Sequence, residues 1–508
     1  MKRLGLIDIG SNTIRLVIFE YSNETGLTEL QNVKTPARLS QYLNEDKIMA
    51  HEGINLIVET LNSFKKVSKK FHVEELVPAA TAAIRQSKNV DEIIETVKSK
   101  TNLNIEIIPE QDEAFYGFYA ATHTLNIEDG ITVDIGGGST EVTYFEGKKL
   151  KNSVSFPFGV VTLEKMFFED KEHNDKNAIK KCEKFVKEQF SSEKWIKDKK
   201  VPIIGIGGSA RNNARIHQSL HDYPIAGVHG YDMNKKGLEE IFDVLKNANK
   251  NELKDLDGLS RDRTDIIMPS SIVFNTLYEC VDATRFTFSR KGLREGVVMT
   301  RLQEEFPNAF NKDKVSTEAL RYLSNEYHIH VSNGKQRMVL AETLLTKVIE
   351  HTSFEVADED RDLFKKAAYL YYLGSFIDAD SSSQHTYYII ANSSINGLTH
   401  KERVKLALLA SFKNKSLLKF FVKETTWFKD NEMEMIQKLG GIIKFSNALN
   451  VSNTDCVESL ELTESEDTFE LNVTYVTDPI AEAYQSERQK KHLEKLLPKK
   501  LNIKFTQG

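Results

Sequence analysis

Two short stretches place carboxylates, glycines and small polar residues in the same order. LIDIGSN carries Asp8, Gly10, Ser11 and Asn12, and VDIGGGSTE carries Asp134, Gly136, Gly137, Gly138, Ser139 and Glu141. Glycines let successive backbone N–H groups converge on an anion, and Ser11, Asn12 and Ser139 add side-chain donors. No lysine lies in either loop, so neither is a Walker A loop. The chemistry they suit is a phosphate gripped by neutral donors, with room for water in line with the leaving oxygen. Asp8 and Asp134 end their apolar runs. A carboxylate there either holds a hard cation or caps the turn by accepting backbone hydrogen bonds. If Thr140 points away, Glu141 shares the face of Ser139 and helps place cation or water; otherwise it is an exposed strand glutamate.

Further candidates lie outside these loops. A third glycine stretch, Gly205, Gly207, Gly208 and Ser209, follows the apolar run Val201–Ile206, and is either a ligand contact or a tight turn. After Pro109, the acidic residues Glu110, Asp112 and Glu113 open a helical pattern. Acidic residues in a first turn complement the helix dipole, and a carboxylate in the same place could serve as a general base. Arg38, Arg85 and Arg211 are candidates for bidentate phosphate binding, with surface ion pairs as the ordinary alternative. Arg263, Asp265, Arg294 and Glu295 read as ion pairs that lock the second half of this region.

The elements that must position these groups form a repeat. Leu4–Tyr21 and Ile131–Gly147 share one plan of apolar strand, Asp-Ile-Gly, small polar turn and alternating strand. Asp8 matches Asp134, Gly10 matches Gly136 and Phe19 matches Phe145. Helical spacing over His51–Phe71 and near VDEIIETVKSK alternates with the short strands ELVPAAT and IEIIPE, which predicts an α/β lobe. Two such units predict two facing lobes. Residues 304–316 read as a linker, and beyond it apolar residues recur at i, i+3 and i+4 as in packed helices. The last stretch alternates as a hairpin, followed by a helix and a short strand.

With 508 residues, two to four domains are expected. The net charge of −6 argues against non-specific nucleic-acid binding. Cys182, Cys280 and Cys456 form neither a metal-ligand spacing nor a disulfide framework, which suits a reducing cytoplasm. Asp8 interrupts the apolar start too early for a signal peptide, and no run approaches a membrane span. A cytoplasmic protein is expected.

DIGSNTIRL, ATAAIR, PEQDEAFYG, DIGGGSTE, GIGGSARN and GLREG occur in the order found in the Ppx/GppA phosphatases, and the chain resembles that family from Leu4 to Gly296. The resemblance implies an α/β fold of two actin-like lobes, related to ribonuclease H-like proteins, sugar kinases and Hsp70 ATPases, with an interlobe cleft. It implies lobes at 1–126 and 127–300, a mostly helical HD-like domain at 301–445 and a small α/β tail at 446–508. Hydrolysis of a terminal phosphoanhydride with Mg²⁺ or another divalent cation is the implied activity. Its general base would be Glu113, with Glu110 as second choice, and Asp134 ranks above Asp8 as cation ligand. Arg85 matches a family arginine. Gly207, Gly208 and Ser209 occupy the place where relatives in the superfold hold adenosine.

In the HD-like segment, Tyr372 and Leu373 stand where a His-Asp metal pair would be, and His385 alone makes no metal site. A second hydrolase centre is therefore not expected; the segment would serve the substrate path or dimerisation, with a homodimer as the assembly. His328 and His330 read as pointing to different sides of a helix end. The expected substrate is inorganic polyphosphate, with guanosine penta- or tetraphosphate as the alternative, then a non-catalytic sensor of phosphorylated ligands, and last a sugar kinase or ATPase.

Overall fold

The computed structural model describes every residue except His330 and Glu424, and the side chain of Val331 is likewise left aside. The expectation for His330 lies outside the described residues. The chain divides into two compact units, Met1–Tyr223 with Val228–Val315, and Pro224–Gly227 with Ser316–Gly508.

The first unit holds both predicted lobes. Lobe I has five strands, β1 (Lys2–Ile9), β2 (Thr13–Ser22), β3 (Gly26–Pro36), β4 (Glu75–Ala80) and β5 (Glu106–Ile107), in the order β3-β2-β1-β4-β5. Its helices are α1 (His51–Lys70), the single turn α2 (Ala82–Arg85), α3 (Val90–Thr101) and α4 (Glu110–Thr122). Lobe II has β6 (Gly130–Ile135), β7 (Thr140–Glu146), β8 (Lys149–Phe156), β9 (Ile203–Ile206), β10 (Tyr231–Met233) and β11 (Phe286–Phe288), in the order β10-β11-β9-β6-β7-β8. Its helices are α5 (Val160–Leu163), α6 (Lys176–Ser192), α7 (Gly207–Leu220), α8 (Lys235–Asn247), α9 (Lys250–Asp255), α10 (Ile267–Val281) and α11 (Leu293–Glu305).

The repeat seen in the sequence is a repeat of topology. β1 pairs antiparallel with β2 and parallel with β4, as β6 pairs with β7 and β9. The central strands are buried on both faces, which is why Leu4–Ile9 and Ile131–Ile135 read as near-continuous apolar runs. Asp8 faces Arg15 in the first hairpin and Asp134 faces Glu141 in the second, so the two loops hang from equivalent rungs.

Two helices cross over. α4 packs beneath the lobe II sheet, where Phe118, Ala121 and Leu125 join Phe145, Ile204 and Ile206. α11 packs beneath lobe I, where Val297, Val298 and Leu302 join Leu4, Leu6 and Val77. The two helices cross at Gly296, where a Cβ would collide with the Tyr116 backbone. The expected boundary at residue 300 therefore falls inside α11. The stretch read as a linker is docked as well: the Phe306 and Phe310 rings lie 4.9 and 5.3 Å from the Tyr21 ring, and Ala309 is buried beside them. Polar composition suggested a free segment, but three apolar side chains suffice to anchor it.

In the second unit, α12 (Val315–Glu326), α13 (Val331–His351), α14 (Asp358–Tyr369), α15 (Ser382–Asn392), α16 (His400–Ala410), α17 (Lys415–Phe421) and α18 (Asp430–Ala448) precede a small sheet. That sheet, β12 (Val457–Glu464), β13 (Thr468–Tyr475) and β14 (Lys500–Gln507), carries α19 (Ile480–Gln489) and α20 (Lys491–Glu494). β12 and β13 form the predicted hairpin, and β14 joins β13 in parallel. Leu373 is buried and offers no ligand atom, while Tyr372 stacks on Tyr371 at 4.1 Å and takes a left-handed backbone. The His385 backbone packs against Gly374. His328 lies in the turn two residues past α12, its ring 5.3 Å from that of Phe376. No helix among the described residues is long and apolar enough to cross a membrane.

Candidate active site

The two hairpin loops close in the same way. Gly10 N–H donates to the Thr13 carbonyl at 3.0 Å, and Gly136 N–H donates to the Ser139 carbonyl at 2.9 Å. A Cβ on either glycine would come within 3.3 Å of that carbonyl, a tight fit at both positions. The first loop is braced from lobe I. The Asn12 carbonyl accepts from Ala37 N–H at 3.1 Å and Arg38 N–H at 2.9 Å, and the Ser11 carbonyl accepts from Ser40 N–H at 3.1 Å. The Arg38 backbone therefore sits beside Asn12, in a left-handed conformation (φ 45°). The second loop rests on the start of α5: the Gly136 carbonyl accepts from Val160 N–H at 3.0 Å and the Gly137 carbonyl from Val161 N–H at 3.0 Å. Its carbonyls are thus engaged on one side, and at Gly138 a Cβ would meet nothing within 4 Å, so that side is open.

The third loop is the start of α7. Gly207 has φ +84°, and a Cβ there would run into an Asp134 carboxylate oxygen. Only glycine lets this turn pass the carboxylate. The stretch is a strand-to-helix junction, so the first N–H groups of α7, from Gly207, Gly208 and Ser209, have no partner within the helix. Arg263 packs on Gly208 and donates from Nη1 to Ser209 Oγ at 3.3 Å.

Four carboxyls gather at these loops. Thr140 does point away, donating to the Phe158 carbonyl at 2.7 Å, and Glu141 is buried, accepting from Ser155 Oγ at 3.0 Å. Burial pushes Glu141 up, and repulsion from Glu113 adds to it, against hydrogen bonds from Ser139 and Ser155. Glu113 is raised to about 7, mainly by burial, with Asp134 and Asp8 adding and Arg85 opposing. Burial also raises Asp134 to about 6 and raises Asp8; Arg294 is the leading charge that opposes both shifts. Arg294 Nε lies 3.9 Å from Asp8, a quarter of whose side chain is open while protein surrounds the rest. Like charges pushed together in a dry site bind protons or cations.

Arg85 is bound to the candidate base. Its Nη1 donates to Glu113 at 2.6 Å and to the Ile108 carbonyl at 2.7 Å, and its Nη2 lies 3.5 Å from Glu110. The first turn of α4 is therefore tied to α2 through one guanidinium. Glu110 is half exposed, on the outer side of that arginine.

The arginines form a group that the sequence reading did not assemble. Arg211 is lowered to about 10 by burial, then by the charges of Arg294, Arg215, Arg15 and Arg290. Arg15 is lowered by burial and then by Arg294. Arg15 occupies in the first hairpin the rung that Glu141 occupies in the second, and that equivalence is the signal that could have found it. Arg263 and Arg294 lie against the loops, while Glu295 accepts from Gly292 N–H at 3.0 Å and caps α11. Asp265 and Asp262 are the acids beside Arg263. Partly buried cations that repel one another favour a polyanion.

Comparison with known proteins agrees with this arrangement. Residues 17–305 match the Ppx/GppA phosphatase family, and residues 315–488 match domain III of the Ppx/GppA phosphatases. A bifunctional 3-dehydroquinate synthase/phosphatase of Fusobacterium nucleatum is 29% identical over 286 residues, covering 54% of this chain and 42% of that protein. A guanosine-5'-triphosphate,3'-diphosphate pyrophosphatase of Aliivibrio fischeri is 23% identical over 414 residues, covering 78% of this chain and 77% of that protein. The crystal structure of a Ppx/GppA family member from Aquifex aeolicus superposes with a TM-score of 0.54 at 28% identity, over 60% of this chain and 98% of that one. An exopolyphosphatase from Cytophaga hutchinsonii shares the fold, with a TM-score of 0.55 at 23% identity over 60% of this chain and 98% of that one. The duplicated lobes, their paired glycine loops and the match across more than half of the sequence lead to one conclusion: the chain belongs to the Ppx/GppA phosphatase family.

Proposed function

We propose that the protein is an exopolyphosphatase, hydrolysing the terminal phosphoanhydride of inorganic polyphosphate to release orthophosphate. The observation that carries the reading is the Glu113 carboxyl, raised to about 7, held by Arg85 and near enough to Glu141 for the two to repel. The terminal phosphate is held by N–H groups of Gly10–Asn12 and Gly136–Ser139, with Ser11, Asn12 and Ser139 donating from their side chains. Glu113 takes a proton from water as the water oxygen bonds to phosphorus. The bond to the bridging oxygen breaks, and the shortened chain leaves with that electron pair. Burial and mutual repulsion leave Glu113 and Glu141 sharing a proton near neutrality, and the Arg85 bond favours Glu113 as the ionised partner. Glu141, bonded to Ser139 and Ser155, orients the loop and the water.

Asp134 and Asp8, strand-end carboxylates with burial-raised proton affinity, offer the oxygen donors a hard divalent cation requires. Bound there, Mg²⁺ would supply neutralisation of charge on the phosphate oxygens. Arg15, Arg211, Arg215, Arg290 and Arg294 would track the phosphates beyond the first, which favours a polymer over a short substrate. The N–H groups that open α7, where relatives hold a nucleoside, would contact a more distant phosphate.

A second reading, hydrolysis of guanosine pentaphosphate, is favoured by the relatives named for that activity, which match 77–79% of their own length. Phosphate release from long-chain polyphosphate and from guanosine pentaphosphate, measured in parallel with Mg²⁺, separates the two. Release from neither, with release from ATP, would overturn both. The homodimer and the cytoplasmic location are part of the same proposal.

A further inference from the structure

We propose that His217, His221 and Glu240 form a binding site for a borderline divalent cation of the Zn²⁺ class, at the opposite end of α7 from its glycine loop. The ligand atoms of these three residues lie within 4.8 Å of one another. His217 and His221 are one turn apart, so both imidazoles leave the same face of the helix, with ring centroids 4.5 Å apart. Glu240 comes from α8, with Oε2 2.9 Å from His221 Nε2 and 3.8 Å from His217 Nε2. Both histidines thus turn the same nitrogen to one carboxylate oxygen.

The surroundings orient the set. His217 Nδ1 lies 2.7 Å from the buried Tyr231 hydroxyl. With the proton on Nδ1 donated to that hydroxyl, the Nε2 lone pair faces Glu240, the arrangement that outer partners impose on metal-bound histidines. A Cβ at position 237 would lie 2.6 Å from His217 Nε2, so Gly237 on α8 leaves this nitrogen its space. His221 and Glu240 are 48% and 42% exposed in their side chains, which gives an ion a path from solvent. The carbonyl end of α7 also favours positive charge.

Two imidazole nitrogens and one carboxylate oxygen suit Zn²⁺ and leave one coordination position for water or an incoming ligand. Mg²⁺, which prefers oxygen ligands, would be a poor competitor. His217 lies ten residues beyond Gly207, roughly 15 Å along the helix at 1.5 Å per residue. An ion there would clip α7 to α8 without touching the phosphate loops, so the site stands or falls independently of the hydrolase reading.

The test uses the full chain, stripped with chelator and titrated with ZnCl₂ by calorimetry, with Mg²⁺ in excess to saturate all-oxygen sites. One Zn²⁺ per chain is expected, with an apparent Tm that rises with Zn²⁺ concentration. His221→Ala and Glu240→Gln change exposed side chains, and each is expected to weaken binding at least tenfold while leaving the metal-free Tm near wild type. Co²⁺ in place of Zn²⁺ should give the visible absorption of a four-coordinate site, lost in His217→Ala. Absence of saturable Zn²⁺ binding would overturn the proposal, as would binding that His221→Ala and Glu240→Gln leave unchanged.

Discussion

Replacement of Glu113 by glutamine separates the chemistry of this site from its architecture. The amide is nearly isosteric, and its oxygen can still accept from Arg85 Nη1, so the tie between α4 and α2 is kept. Only the ability to take a proton is lost. General-base removal costs on the order of 10²–10⁴-fold in turnover, about 3–5 kcal/mol of transition-state stabilisation at 1.36 kcal/mol per decade. The same variant should change stability in the opposite sense. The folded pKa of Glu113 stands above its ordinary value, about 7 against 4.5, so the folded state holds the proton more tightly than the unfolded one. The native protein then loses stability as pH rises through that window, by at most about 3 kcal/mol at 1.36 kcal/mol per unit. Because Glu141 shares the repulsion, the single substitution recovers less than this. The assays are steady-state phosphate release from polyphosphate, and apparent Tm at pH 5 and pH 8 without divalent cation. The expected result is turnover lowered at least a hundredfold, with a Tm that falls less steeply with pH than in wild type. Near-normal turnover would remove Glu113 as the base. An unchanged Tm profile would refute the electrostatic argument, whatever the kinetics show.

Gly207→Ala should lower both stability and activity. A left-handed backbone costs a non-glycine residue roughly 1–2 kcal/mol, and the new Cβ must displace Asp134, so urea midpoint and phosphate release should fall together. Arg294→Gln removes the leading positive charge that opposes protonation of Asp8 and Asp134. Both carboxyls should then titrate higher, and the acidic limb of the kcat/KM profile should move to higher pH; a limb left in place would contradict the assignment. Arg211→Ala with Arg215→Ala should raise KM for long polyphosphate more than for tripolyphosphate and flatten the dependence of kcat/KM on salt. Equal effects on both substrates would argue against a track of arginines for distant phosphates.

The parts of this protein legible in one sequence are those made by local rules. The two Asp-Ile-Gly hairpins stand out because a buried strand needs an unbroken apolar run and the turn after it needs small residues. Their alignment put Gly10 with Gly136 and Asp8 with Asp134, and the strand registers repeat that equivalence. The third glycine stretch was visible as a strand end, but whether a turn or a helix followed depended on Gly207 passing over Asp134, which lies on another strand. The resemblance to Ppx/GppA phosphatases is legible too, because its six ordered motifs are local stretches of sequence.

What the sequence by itself determined is therefore the local machinery: strands, glycine turns, the acidic first turn of α4, and the order of motifs along the chain. Which charges face one another was decided only by tertiary structure. Arg85 and Glu113 are joined because α2 and α4 follow the paired strands β4 and β5, and Glu113 faces Glu141 because α4 crosses beneath lobe II. Arg15, Arg211 and Arg294 come from β2, α7 and α11, and nothing in their own neighbourhoods marks them as one group. The physical reason is range. Backbone propensity acts over a few residues, whereas burial and Coulomb repulsion act between any groups the fold brings close.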